Sequence, residues 1–109
     1  MIVFDIDKYK GNYVMCCRTE KQAEVFCEYL DSVGRTWIGG LRYPGNTYFQ
    51  GVSICYEFNQ GYHASPSFYT REGYEILEFT DFIFPIYELN IDKQDVELLN
   101  EFISAFGME

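Results

Sequence analysis

Runs of apolar residues with two different periods divide the chain. Residues 2–6 and 12–17 read as strands, with Gly11 and Asn12 as turn residues between them. The run Tyr13-Val14-Met15-Cys16-Cys17 is apolar without alternation, which is the pattern of a strand covered on both faces, so it is expected at the centre of a sheet. The period then changes: Ala23, Phe26, Cys27, Leu30 and Val33 recur at helical spacing. Thr19 followed three residues later by Gln22 forms a capping box, and Gly34 stands as a C-cap after Val33, so the spacing predicts a helix over 19–33.

Arg35-Thr36-Trp37-Ile38 reads as a short strand broken by Gly39-Gly40, and 41–47 as a loop with a turn at Pro44-Gly45-Asn46. Residues 52–58 form the next expected strand, closed by Asn59-Gln60-Gly61. Residues 62–73 are polar, aromatic and punctuated by Pro66 and Gly73, and read as a mobile loop before a strand over 74–79. The apolar stretch 82–89 contains Pro85, which places it at a sheet edge or in an irregular extended segment. A closing helix is expected from Asp92 as N-cap to Gly107 as stop, burying Val96, Leu99, Phe102, Ile103 and Phe106. The order β-β-α-β-β-β-(β)-α implies an α+β fold, a mostly antiparallel sheet of four to six strands covered by one or two helices. At 109 residues the chain suits a single domain, 1–109.

Charge changes this picture because it is uneven. Residues 1–54 hold six acids and six bases and sum to zero, whereas 55–109 hold Arg71 and Lys93 against eleven acids and carry the whole net charge of −9. Such a chain repels nucleic-acid phosphates, so direct nucleic-acid binding is not expected. Ten Phe, ten Tyr and one Trp give more burial than disordered chains have. No window approaches the ~20 apolar residues of a membrane span, and Asp5 and Asp7 stand where a signal peptide would be basic and then apolar. A cytoplasmic protein with no membrane partner is therefore expected, with Cys16, Cys17, Cys27 and Cys55 as buried reduced thiols.

Within the first helix, Glu20, Glu24, Glu28 and Asp31 fall in one sector opposite the apolar stripe. This is either a solvated face or a docking face. Each like-charge i,i+4 pair costs about 0.2–0.5 kcal/mol, and Asp31 sits at the unfavourable end of the helix dipole. Catalytic chemistry finds little support. A Cys55/His63 nucleophile pair lacks any local motif, no CxxC pair exists, and the single histidine denies a Cys/His zinc site its usual spacing. Neither GxxxxGK[ST] nor GxGxxG occurs. No catalytic residue, metal or cofactor is assigned, and the chain is expected not to be an enzyme. Tyr43, Tyr48, Tyr56, Tyr62, Tyr69 and Tyr74 flank the two long loops, where a small nucleotide could stack with Arg35, Arg42 or Arg71 on its phosphate, although aromatics at strand spacing in a small domain are more often core.

Tyr13-Val14-Met15-Cys16 leading into Thr19-Glu20, Tyr29-Leu30 with Gly34-Arg35-Thr36-Trp37, Cys55-Tyr56-Glu57-Phe58-Asn59 and Gly73-Tyr74-Glu75-Ile76-Leu77-Glu78-Phe79-Thr80-Asp81-Phe82 together resemble a small module. That module occurs in phage and prophage proteins of low-GC Gram-positive bacteria, near or fused to anti-CRISPR proteins that inhibit Cas9. The similarity covers roughly 12–82, and 83–109 stands outside it as an acidic extended segment and helix. A bias toward residues with AT-rich codons, 41 Phe, Tyr, Ile, Asn, Lys and Met against 19 Gly, Ala, Arg and Pro, agrees with such a source.

The resemblance implies counter-defence in the bacterial host cytoplasm and transfers no catalytic residue. Combined with the charge, it gives the leading expectation of a non-enzymatic inhibitor whose acidic surface occupies a basic nucleic-acid groove on Cas9 or a similar nuclease complex. The expected partner-binding residues are Glu75, Glu78, Asp81, Glu88, Asp92, Asp95, Glu97 and Glu101, with Glu20, Glu24, Glu28 and Asp31 as a second patch. The alternatives are a sponge for a cyclic nucleotide signal in the tyrosine-lined loops, and a small phage regulatory protein that homodimerises through an exposed aromatic edge. Acidity that serves solubility alone remains the bland reading beside all three.

Overall fold

The computed structural model describes residues 1–86. The helix expected from Asp92 and residues 87–89 of the extended stretch lie outside the described residues. The chain forms β1 (Ile2–Val3), β2 (Tyr13–Cys17), α1 (Glu20–Ser32), β3 (Ile54–Glu57), β4 (Tyr62–Ala64), α2 (Pro66–Arg71), β5 (Glu75–Glu78) and β6 (Phe82–Ile83). This is an α+β fold. Four strands make one open mixed sheet in the order β4-β3-β2-β5, and β1 and β6 pair in a second, two-stranded sheet.

In the larger sheet β2 is antiparallel to β3 and β3 to β4, while β5 is parallel to β2. The parallel pairing follows from topology, because the chain leaves β2, passes through α1, β3, β4 and α2, and returns in the direction it left. β2 is internal as expected, with Val14, Met15, Cys16 and Cys17 all fully buried. Successive strand residues point to opposite faces, and the two faces are covered differently. Met15, Cys17, Tyr56 and Phe58 pack toward α1, where Ala23, Phe26, Cys27, Tyr29 and Leu30 are buried with Phe4 and Phe82. Val14, Cys16 and Cys55 pack toward α2 with Tyr69.

Three expectations are corrected. Residues 35–38 are not a strand: Gly39 and Gly40, both at positive φ, reverse the chain at once, so Trp37 N–H donates to Leu41 O at 2.9 Å and Ile38 N–H to Gly61 O at 3.1 Å. Residues 62–73 are not a loop but β4 and α2. Ser65 caps that helix by accepting from Phe68 N–H at 3.2 Å, and Pro66 occupies its first turn, where a missing N–H costs nothing. In the N-terminal strand, ladder pairing stops at Val3, and Asp5 caps a 3-10 turn over Ile6–Lys8. No helix among the described residues is long and apolar enough to cross a membrane.

Candidate functional site

Two cavities carry the unpaired chemistry, one on each side of the sheet. The first is built on α1. Thr19 Oγ1 accepts from Gln22 N–H at 3.2 Å, Gln22 Oε1 accepts from Arg18 N–H at 2.8 Å, and Arg35 N–H donates to Leu30 O at 2.9 Å to close the C-terminus around Gly34. With its apolar stripe buried, the helix turns Glu20, Glu24 and Glu28 outward, and with Pro44, Gly45 and Thr47 they line a cleft of about 320 Å³. The opposite wall is held in place: Trp37 Nε1 donates to Asn46 O at 2.9 Å, and Tyr56 Oη to Thr47 O at 2.6 Å.

Asp31, the fourth acid of the stripe, lies at the helix end and meets Arg42, whose Nε and Nη2 donate to its two carboxylate oxygens at 2.9 and 2.6 Å. Those hydrogen bonds hold the Asp31 carboxyl below the usual carboxylate range. They also offset the adverse dipole of the helix C-terminus. The stripe therefore divides into three bare carboxylates facing the cleft and a fourth that ties the loop to the helix.

The described acids among those expected after residue 72, Glu75, Glu78 and Asp81, do not form one patch. Glu75 and Glu78 are three positions apart on β5 and so alternate to opposite faces of the sheet. Glu78 accepts from Arg18, which also donates to Ser53 Oγ at 3.3 Å, and Asp81 is exposed in a 3-10 turn. Glu88, Asp92, Asp95, Glu97 and Glu101 lie outside the described residues. Among the described residues the ion pairs are Arg18–Glu78 and Arg42–Asp31, so Glu20, Glu24, Glu28, Glu75 and Asp81 keep uncompensated charge.

The second cavity, about 500 Å³, lies between β3, β4 and α2, and the strand register assembles it. Glu57 pairs with Tyr62 across the ladder, and both face α2. Glu57 is only 1 % exposed; its Oε2 accepts from Gln60 N–H at 3.0 Å, and its Oε1 has no hydrogen-bond partner among the described residues. Burial pushes its carboxyl up, and the Gln60 N–H pulls it partly back. Around it stand Tyr62, Phe68, Tyr69 and Tyr74, with Glu72 exposed at the rim. Sequence reading missed both Glu57 and Phe68, although a lone acid in an otherwise apolar strand is a visible signal.

The six tyrosines thus separate. Tyr43 and Tyr56 are fully buried. Tyr48, at the positive φ of 56°, stacks on His63 with ring centroids 4.7 Å apart. Tyr62, Tyr69 and Tyr74 meet at the second cavity, which none of Arg35, Arg42 and Arg71 lines.

Cys16 and Cys55 are directly opposed across β2 and β3. The hydrogen bond that Cys55 donates lowers the Cys16 thiol, while Cys55 itself is pushed far up. Burial raises Cys17 and Cys27. All four thiols are free and buried. His63 pairs with Tyr56 and Cys55 with Ala64, so His63 and Cys55 project from opposite faces of the sheet and form no nucleophile pair. Among the described residues no group of three or more His, Cys, Asp and Glu side chains converges. No family model, curated protein or solved structure matches the chain.

Proposed function

We propose that this chain is a non-enzymatic inhibitor that binds a basic, nucleic-acid-reading surface of a host nuclease complex through its acidic α1 cleft. The observation that carries the reading is the row Glu20, Glu24 and Glu28, three carboxylates with no cation paired to them among the described residues, set along one wall of a structured cleft. Like charges at i,i+4 are held together against repulsion, and a basic partner relieves it on binding. The net charge of −9 adds long-range attraction to such a partner.

The resemblance to the phage module makes the specific form of this proposal counter-defence of the anti-CRISPR kind in the cytoplasm of a bacterial host, with Cas9 as the first partner to test. Purified protein added to Cas9 before the guide RNA is expected to block cleavage, and rising salt to weaken the block. Charge reversal at Glu20, Glu24 and Glu28 together is expected to raise the inhibitory concentration by roughly tenfold or more. Unchanged cleavage at large molar excess removes Cas9 as the partner.

A further inference from the structure

We propose that the cavity between β3, β4 and α2 binds an organic ammonium ion, seated among Tyr62, Phe68, Tyr69 and Tyr74 above the Glu57 carboxylate and beside Glu72. This goes beyond the inhibitor reading, since it uses other residues on the face of the sheet opposite α1, and each stands or falls alone.

Four aromatic side chains line one cavity of about 500 Å³. Tyr69 is their hub: its ring is 5.2 Å from Phe68 and 4.9 Å from Tyr74, both edge-on, and it is 3 % exposed. Tyr62 and Phe68 keep 47 % and 41 % of their surface in water. Large rings left open around a cavity are available to a ligand in a way that core rings are not. The faces of aromatic rings carry partial negative charge and attract cations, most strongly where water is displaced.

The acids settle the sign. Glu57 sits at the cavity floor with one carboxylate oxygen lacking a partner among the described residues, and Glu72 adds a second negative charge at the rim. A buried carboxylate left half-paired is costly, and a cation brought over it supplies the missing attraction. Among the described residues neither arginine nor lysine lines the cavity, so a phosphate would meet two carboxylates and no fixed cation. His63 belongs to the cavity's strand but its ring stacks on Tyr48 on the opposite face of the sheet, which leaves two carboxylates as a poor cage for a bare metal ion, whereas ring walls suit a cation that carries carbon. An alkylammonium group meets both demands, whether from a free amine or from a lysine side chain of a partner.

The test is a nuclear magnetic resonance titration of the full chain with choline, with N-acetyl-lysine methylamide, and with 3,3-dimethylbutanol as the neutral isostere of choline. Saturable shifts at Tyr62, Phe68 and Tyr74 are expected with at least one cation, and at least roughly tenfold weaker binding of the neutral isostere. Stronger binding of choline assigns a free ammonium compound, and stronger binding of the lysine analogue assigns a protein side chain. Glu57→Gln is expected to weaken the better cation by roughly tenfold. Should that variant fold poorly, Glu72→Gln and Tyr62→Ala, both at exposed positions, are each expected to weaken it by roughly fivefold. Equal affinity for choline and its neutral isostere, or no saturable shift at the cavity with either cation, overturns the proposal.

Discussion

The two faces of the four-stranded sheet are built for different ends. Toward α1, Phe4 meets Phe26, Tyr29, Phe58 and Phe82 with centroids 5.2 to 6.0 Å apart and mostly edge-on, a continuous aromatic core that β1 and β6 extend. Toward α2 the buried cluster is Val14, Cys16, Cys55 and Tyr69, under a helix of six residues. Among the described residues this short helix covers only part of that face, and the part it leaves holds a half-paired carboxylate and exposed rings. Dense packing on one face supplies the stability that lets the other carry unsatisfied groups, the usual division between scaffold and binding surface.

The contrast is broken most severely from the α1 side. Phe26→Ala empties the centre of the aromatic core and is expected to cost about 3–5 kcal/mol by denaturant unfolding, a large share of the roughly 5–15 kcal/mol typical of a domain this size. Next in size is Gly61→Ala. Gly61 has φ of +88° in the β3–β4 turn, and a Cβ there would stand 2.5 Å from Ile38 N and 2.8 Å from Thr36 O, both backbone atoms that cannot swing aside. A loss of about 1–3 kcal/mol is expected, with exchange protection of the Ile38 amide lost first.

Ser65→Ala removes the α2 cap and is expected to cost about 1 kcal/mol. It separates the faces most sharply: amide exchange should rise in α2 while α1 stays protected. Uniform loosening of both helices would show that the faces are not independent.

The smallest effects are those of pH, and they run in opposite directions. Asp31 is held below its ordinary range by Arg42, so its contribution is present above the ordinary carboxylate range and fades as pH falls through its lowered value. Glu57 is held above its ordinary range by burial, so the fold is favoured at pH below that range and loses this contribution as pH rises through the raised value. Denaturant midpoints followed from about pH 3 to about pH 8 should lose the acid-side component in Asp31→Asn and the base-side component in Glu57→Gln.

Local signals and burial agree at α1 and β2. Thr19, Gln22 and Gly34 bracket α1 because caps act over three or four residues, and the unbroken apolar run of β2 marks a strand enclosed on both sides. At Trp37 the same logic failed: an apolar pair flanked by β-formers looks like a strand, but the indole instead packs on Tyr43, centroids 4.4 Å apart, while the backbone turns at Gly39. At Ser65-Pro66 the helix start is a local cap and a first-turn proline, visible only once the structure shows that the polar, aromatic stretch after it is helical.

Residue types and spacing by themselves determined the α+β class, the place of β2, the extent of α1 and the outward row Glu20, Glu24 and Glu28, because each depends on periodicity or on groups a few residues apart. Tertiary structure alone decided that Asp31 serves Arg42, that Glu78 serves Arg18, and that Glu57 meets Tyr62, Tyr69 and Tyr74. Those outcomes depend on strand register and on the return of the chain to β2. Register is set by the summed burial of both faces, a property of the whole sheet that no single segment encodes.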